Sequence, residues 1–163
     1  MTRAITGLLI LFCVAANADV IRYPLPNNST FPIALAVEVP AGTTLIYHSG
    51  TVPGPANADA ERDSRAFWGD TEAQANSVFA RIETSLANMG LGFGDVIKLT
   101  VFLVGDPELG GAMDFAGFMR AYTKHFGTEK QPNLPARSAV QVAGLAGSGM
   151  LVEVEAVLAR PSQ

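Results

Sequence analysis

The chain has 163 residues, 48% of them apolar and 16% charged, and carries a formal net charge of −4. That is enough apolar material for the core of one domain. The negative balance, with no stripe of Lys and Arg, argues against the phosphate-neutralising surface that a nucleic-acid binder needs.

The first expected element is a leader. Arg3 supplies a short basic start, and Ile5 to Ala16 is an apolar run too short to span a bilayer comfortably. Ala16-Asn17-Ala18 fits an A-x-A cleavage site. Residues 1–18 therefore read as a signal peptide, and 19–163 as a single mature domain that is secreted or periplasmic and free of the membrane after cleavage. An uncleaved anchor is the alternative. Lipid modification of Cys13 is disfavoured by the bulky Phe12 before it. Cys13 is the sole cysteine, so the mature domain has no thiol for nucleophilic attack, disulfides or metal binding.

Residues 19–32, with Pro24, Pro26, Pro32 and Asn27-Asn28-Ser29, read as punctuation rather than regular structure. The Asn triplet also matches a glycosylation sequon, a short pattern best taken as loop chemistry. Ile33–Val39 and Thr43–His48, split by Pro40-Ala41-Gly42, predict a hairpin. Ser49-Gly50 ends its second strand. Residues 51–69 read as a loop whose Glu61-Arg62-Asp63-Ser64-Arg65 cluster is a solvated surface.

A helix is expected from about Thr71 to Met89. Asp70 is its N-cap, or Thr71-x-x-Gln74 its capping box. Val78, Phe79, Ile82, Leu86 and Met89 fall on one face, and Gly90 supplies a left-handed end. Val96–Val104 predicts a strand buried on much of both faces. After a turn at Asp106-Pro107 to Gly110-Gly111, a second helix is expected over Ala112–Phe126. Its stripe of Phe115, Phe118, Met119, Tyr122 and Phe126 reads as core. Strands Ser138–Ala143 and Met150–Leu158 close the chain. The order β-β-α-β-α-β-β predicts an α+β fold, a mixed sheet with two helices packed on one face.

Most familiar chemistries find no support. His48 and His125 lie on different elements without ligand partners at metal spacing, so no metal is expected. His125 is explained by the dipole at a helix C-terminus, and His48 by a strand-end surface position. There is no nucleophile elbow, and no Gly-rich run opens a helix with dinucleotide spacing, so no cofactor is expected. What stands out is Pro135-Ala136-Arg137-Ser138 and Val152-Glu153-Val154-Glu155-Ala156. Alternation places Glu153 and Glu155 on one face of a strand and the apolar residues on the other. Arg137 offers a planar fork that fits a carboxylate. The same residues also fit a surface strand with an ion pair to Arg137.

These motifs, with Ser49-Gly50, the Asp70–Gly90 helix and the run from Asp95 to Leu103, resemble the Rid family of reactive-intermediate deaminases (YjgF or L-PSP proteins) from about Phe31 to Ala159. The resemblance implies a chorismate-mutase-like α+β layout and a homotrimer with clefts between subunits. It further implies hydrolysis of 2-imino or 2-enamino acids to 2-keto acids and ammonia. By the same resemblance Arg137 grips a small carboxylate substrate and Glu153 helps place the water. Ser49 is a hydroxyl near the ligand, Ala139 turns a backbone carbonyl to the site, and Leu134 is part of an apolar wall. Ribonuclease activity, also attributed to the family, lacks a basic patch here.

Two positions depart from the pattern. Phe31-Pro32-Ile33-Ala34-Leu35 stands where the family carries a G-P-Y-S-Q-type segment, with Ile33 at the Tyr, and Met119 replaces an Asn. Ile33 and Met119 would make the substrate pocket more apolar. A non-catalytic small-carboxylate-binding protein of the same fold is the alternative reading.

Overall fold

The computed structural model describes residues 19–160. The expected leader, with Cys13 and its cleavage site, lies outside the described residues.

The centre of the fold is a four-stranded mixed sheet of β3 (Leu45–Thr51), β4 (Val96–Val104), β5 (Ala136–Val142) and β6 (Val152–Ala159), in the order β3-β6-β4-β5. β4 and β5 run parallel, while β6 is antiparallel to both of its neighbours, β3 and β4. A parallel pair needs a crossover, and α3 (Phe115–Tyr122) supplies it. The helices α2 (Thr71–Asn88) and α3 cover one face of the sheet, as the alternation of elements predicts.

α2 starts where its cap dictates. The Asp70 carboxylate accepts the Ala73 N–H at 2.8 Å, satisfying one of the free donors of the first turn. Gln74 is not part of a capping box. It is buried, donating to the Gly69 and Gly149 carbonyls and accepting the Leu151 N–H at 2.7 Å. Val78, Phe79, Ile82 and Leu86 form the buried stripe, each contributing about 1.5–3 kcal/mol by leaving water. Gly90, at φ +68°, ends the helix in the left-handed conformation, and the Leu91 N–H closes onto the Leu86 carbonyl at 2.9 Å.

The structure corrects several expectations. The hairpin of Ile33–Val39 with Thr43–His48 does not form. β2 (Ala36–Glu38) pairs instead with β1 (Ile21–Tyr23), inside the segment read as punctuation, and β3 pairs with β6. Arg22 holds β1 in place by donating to the Gly94 carbonyl at 2.7 Å and the Val96 carbonyl at 3.2 Å. Asn27 and Asn28, both at positive φ, do form a turn. Residues 51–69 are not all loop, since α1 (Arg65–Trp68) makes one turn capped by Ser64 and buries Phe67 and Trp68. Nor is Arg65 simply solvated. Its Nη1 lies 2.8 Å from both carboxylate oxygens of Asp106, which is only 2% exposed.

β4 is buried on one face only. Leu99, Val101 and Leu103 meet the helices, while Lys98, Thr100 and Phe102 on the other face are half-buried, with no helix of the described residues over them; Val104, at the strand end, packs against the core. α3 is shorter than the span Ala112–Phe126. Asp106 bridges Ala112 in extended pairing, Asp114 caps the helix, and after Tyr122 the chain continues in single turns. His125 therefore does not answer a helix dipole as a cation. Its ring lies between Phe79 (5.1 Å) and Phe93 (4.8 Å), and burial pushes its pKa below the usual imidazole value. Among the described residues, no helix is long and apolar enough to cross a membrane.

Candidate functional site

Two clusters carry the expected site residues, and the sheet keeps them apart. On β6, Val152, Val154 and Ala156 are buried toward the helices, whereas Glu153 is half-buried and Glu155 exposed on the opposite face. The face assignment read from V-E-V-E-A is therefore correct. Glu153 stands beside Phe102 of β4, and Glu155 beside Thr100.

Ser49 and Gly50 approach Glu153 through a bulge. His48 pairs with Ala156 and Thr51 with Val154, so β3 spends one more residue than β6 between the same two rungs. Such an insertion re-aims the bulged strand. Gly50 has no side chain to fend off the carboxylate, and a Cβ built there would collide with Glu153 Oε1. Gly50 thus forms a seat for the Glu153 carboxylate. A groove of about 270 Å³ on this open face is lined by Tyr47, Ser49, Lys98, Thr100, Glu155 and Val157. His48 turns inward, contrary to a surface position. Its Nδ1–H donates to the Ser49 carbonyl at 3.0 Å, and its Nε2 meets the Ser85 hydroxyl of α2 at 2.9 Å.

Arg137 belongs to the other face. It stands beside Leu99, and Ala139 beside Val101, both helix-facing residues of β4. Its guanidinium carbon lies 4.2 Å from the Tyr122 ring centroid, 5.4 Å from those of Phe31 and Phe118, and 5.7 Å from that of Phe115. Tyr122 is fixed by donating its hydroxyl to the Pro32 carbonyl at 2.7 Å. Burial pushes the Tyr122 pKa up to about 12, so it stays a neutral phenol at ordinary pH. Burial also lowers the Arg137 pKa, but a guanidinium remains charged regardless.

The ion pairs among the described residues join Arg65, Arg120 and Lys124 to their acids, and none includes Arg137. The surface ion-pair reading of Arg137 is thereby corrected. Its Nη1 is buried with no hydrogen-bond partner. Rings at cation–π distance are worth about 0.5–2 kcal/mol, less than the several kcal/mol that it costs to take an ion out of water. A charge held this way lacks an anion.

Of the remaining sequence candidates, Ile33 is half-buried, next to the Pro32 carbonyl that holds Tyr122, and its N–H donates to the Phe31 carbonyl at 2.8 Å. Met119, Leu134 and Ala139 are partly buried against the core. The aromatic bed of Arg137 was not foreseen. Its only sequence signal was the helical stripe of Phe115, Phe118 and Tyr122, which does serve the core but also floors this site. Phe31 gave no periodic signal.

Arg137 and Glu153 therefore face opposite sides of one sheet. Ser49 on β3 and Arg137 on β5 occupy its two edges, three strand spacings or about 14 Å apart.

Comparison with known proteins agrees with this layout. Residues 26–160 match the family described as Endoribonuclease L-PSP. The chain is 35% identical over 127 residues to Protein DfrA of Myxococcus xanthus, covering 77% of this chain and 83% of that one. It is 31% identical over 117 residues to the 2-iminobutanoate/2-iminopropanoate deaminase of Salmonella typhimurium, covering 72% and 80%. Among solved structures, Escherichia coli TdcF with bound serine superposes with a TM-score of 0.56 at 29% identity, covering 79% of this chain and 92% of TdcF. The protein is an α+β domain of the Rid class, and the chain belongs to the Rid (YjgF, L-PSP) family, whose members include reactive-intermediate deaminases.

Gly50→Ala tests the seat of the carboxylate. The methyl must displace Glu153, and overpacking of this kind costs about 1–3 kcal/mol. We expect a lower unfolding midpoint in denaturant, with most of the loss recovered in Gly50→Ala combined with Glu153→Ala.

Proposed function

We propose that the protein hydrolyses small 2-imino or 2-enamino acids to 2-keto acids and ammonia, in clefts between the subunits of a homotrimer. The observation that carries this reading is the half-buried Arg137, unpaired by any acid and with an unpartnered Nη1 among aromatic rings. It is built to receive an anion, and a carboxylate matches its fork. Support also comes from the kinship with a named iminobutanoate deaminase and from the serine bound in TdcF.

The chemistry follows from these groups. Arg137 holds the substrate carboxylate and so fixes the imine carbon. Glu153 of a neighbouring copy orients a water and takes a proton as the water oxygen bonds to that carbon. Glu153 then passes that proton to the carbinolamine nitrogen; as the C–N bond breaks and ammonia leaves, the hydroxyl becomes C=O and gives up its own proton to Glu153. Net, one water is consumed and one C=N becomes C=O. A protonated imine is already electrophilic, so positioning and one acid/base suffice. An endoribonuclease role would need a basic track, which a net charge of −4 does not favour. A second reading, a carboxylate binder without turnover, is favoured by Ile33 and Met119, which bring no polar group to the water.

The deciding experiment couples an amino-acid oxidase, as imine source, to the purified protein. The wild type should accelerate keto-acid formation. Glu153→Gln keeps the shape but cannot take a proton, and it should abolish turnover while 2-keto acid binding persists. Arg137→Lys should weaken that binding by about tenfold or more. An inactive wild type that still binds through Arg137 would establish the binder instead. For the assembly, light scattering should give three times the chain mass, and a stable monomer would remove the inter-subunit cleft. We also propose export with cleavage after Ala18. N-terminal sequencing of protein from its native host should begin at Asp19, and a retained Met1 would refute this.

A further inference from the structure

Resting on the reading of Arg137 as a carboxylate anchor, we infer that the site selects substrates with a bulky apolar or aromatic side chain, and that Phe31 is the residue that sets this preference.

The argument begins with what surrounds the anchor. Phe118 and Tyr122 are fully buried, so they form the floor under the guanidinium. Phe31 and Phe115 are the accessible rings. Phe31 is 41% exposed and Phe115 half-buried, and their centroids stand 6.4 Å apart with planes only 21° from parallel. Both lie within 6 Å of the guanidinium carbon. A carboxylate bonded to the fork leaves its side chain at the rim of the guanidinium, where Phe31 is the exposed ring.

The side chains beside the guanidinium are apolar on this rim, and the nearby Ser29 hydroxyl is already engaged by the Phe31 N–H at 3.3 Å. Met119 follows Phe115 by one helical turn on the same side of α3. Ile33 flanks Phe31, and its N–H is already engaged by the Phe31 carbonyl, which holds the segment in a tight turn. A substrate hydroxyl entering here would lose its water without replacement, whereas an isobutyl or benzyl group would cover apolar surface that is otherwise wet.

Phe31 is the adjustable part. It lies on the segment before β2, outside the helices and the main sheet; its N–H donates to the Ser29 hydroxyl at 3.3 Å, and its neighbours are held where the Pro32 carbonyl accepts from Tyr122 and Ala34 donates to the Pro135 carbonyl at 3.0 Å. Truncating its ring removes apolar contact without opening the core, so the fold should survive the change.

The test is calorimetric binding of three 2-keto acids to the purified protein: pyruvate, 4-methyl-2-oxopentanoate and phenylpyruvate. The two bulky acids should bind at least about tenfold tighter than pyruvate, the scale of discrimination that a hydrophobic pocket supplies. Phe31→Ala should bring that ratio to within about threefold of unity; because Phe31 also lies against the Arg137 guanidinium, the readout is the ratio and not the absolute affinity for pyruvate. Phe31→Leu should retain most of the preference for 4-methyl-2-oxopentanoate. Equal affinities for all three acids in the wild type, or an unaltered ratio in Phe31→Ala, overturn the inference and leave the anchor intact. If none of the acids binds, the anchor itself fails and the inference falls with it.

Discussion

A guanidinium set against aromatic rings with no acid beside it is the constraint around which this protein is arranged. Arg137 reaches the rings because β5 lies at the sheet edge nearest α3 and turns that side chain toward the helices. Tyr122 must then be held rigidly, and the Pro32 carbonyl does this. The segment carrying Pro32 must in turn be held against β5, which the Ala34 to Pro135 hydrogen bond achieves. Each contact answers a need created by the one before it. What remains is a half-buried cation whose Nη1 has no hydrogen-bond partner.

The second constraint is the period of a β-strand. Alternate residues face opposite sides, so the registers Leu99–Arg137 and Phe102–Glu153 place the cation and the acid on different faces of one sheet. No rotamer can undo that. The helix face is closed by core packing, while the open face carries Lys98, Thr100, Phe102 and the exposed Tyr47. A sheet with one uncovered face and its candidate site residues near two different edges is half of a site in each direction. This is the physical reason why the proposed chemistry and the proposed assembly stand or fall together.

Particular elements show how far local pattern reaches. The α2 cap at Asp70, its apolar stripe and its Gly90 terminus were legible because each depends on residues within a turn or two of one another. The faces of β6 were legible for the same reason, since alternation is local. Apart from the Ser64-capped turn α1 and the shortened α3, the missed features are long-range. β1 pairs with β2 and not β2 with β3, and Arg22 ties β1 to carbonyls more than 70 residues away. Arg65 left its apparent surface cluster for Asp106, 41 positions on. His48 turned from solvent because Ser85 presents a hydroxyl to it across the sheet–helix interface.

The sequence by itself determined the two main helices and the strands that β4, β5 and β6 become, the apolar faces that had to be covered, and the choice of Arg137 and Glu153 as the residues to look at. Those properties follow from side-chain chemistry and from the two periods, 3.6 and 2, that govern neighbours along a chain. Tertiary structure alone decided that Arg137 would rest on Phe31, Phe115, Phe118 and Tyr122, that Gly50 would seat Glu153, and that the two groups would face apart. Strand order and register fix these relations, and they arise from pairings between segments far apart in the chain, which no local pattern encodes.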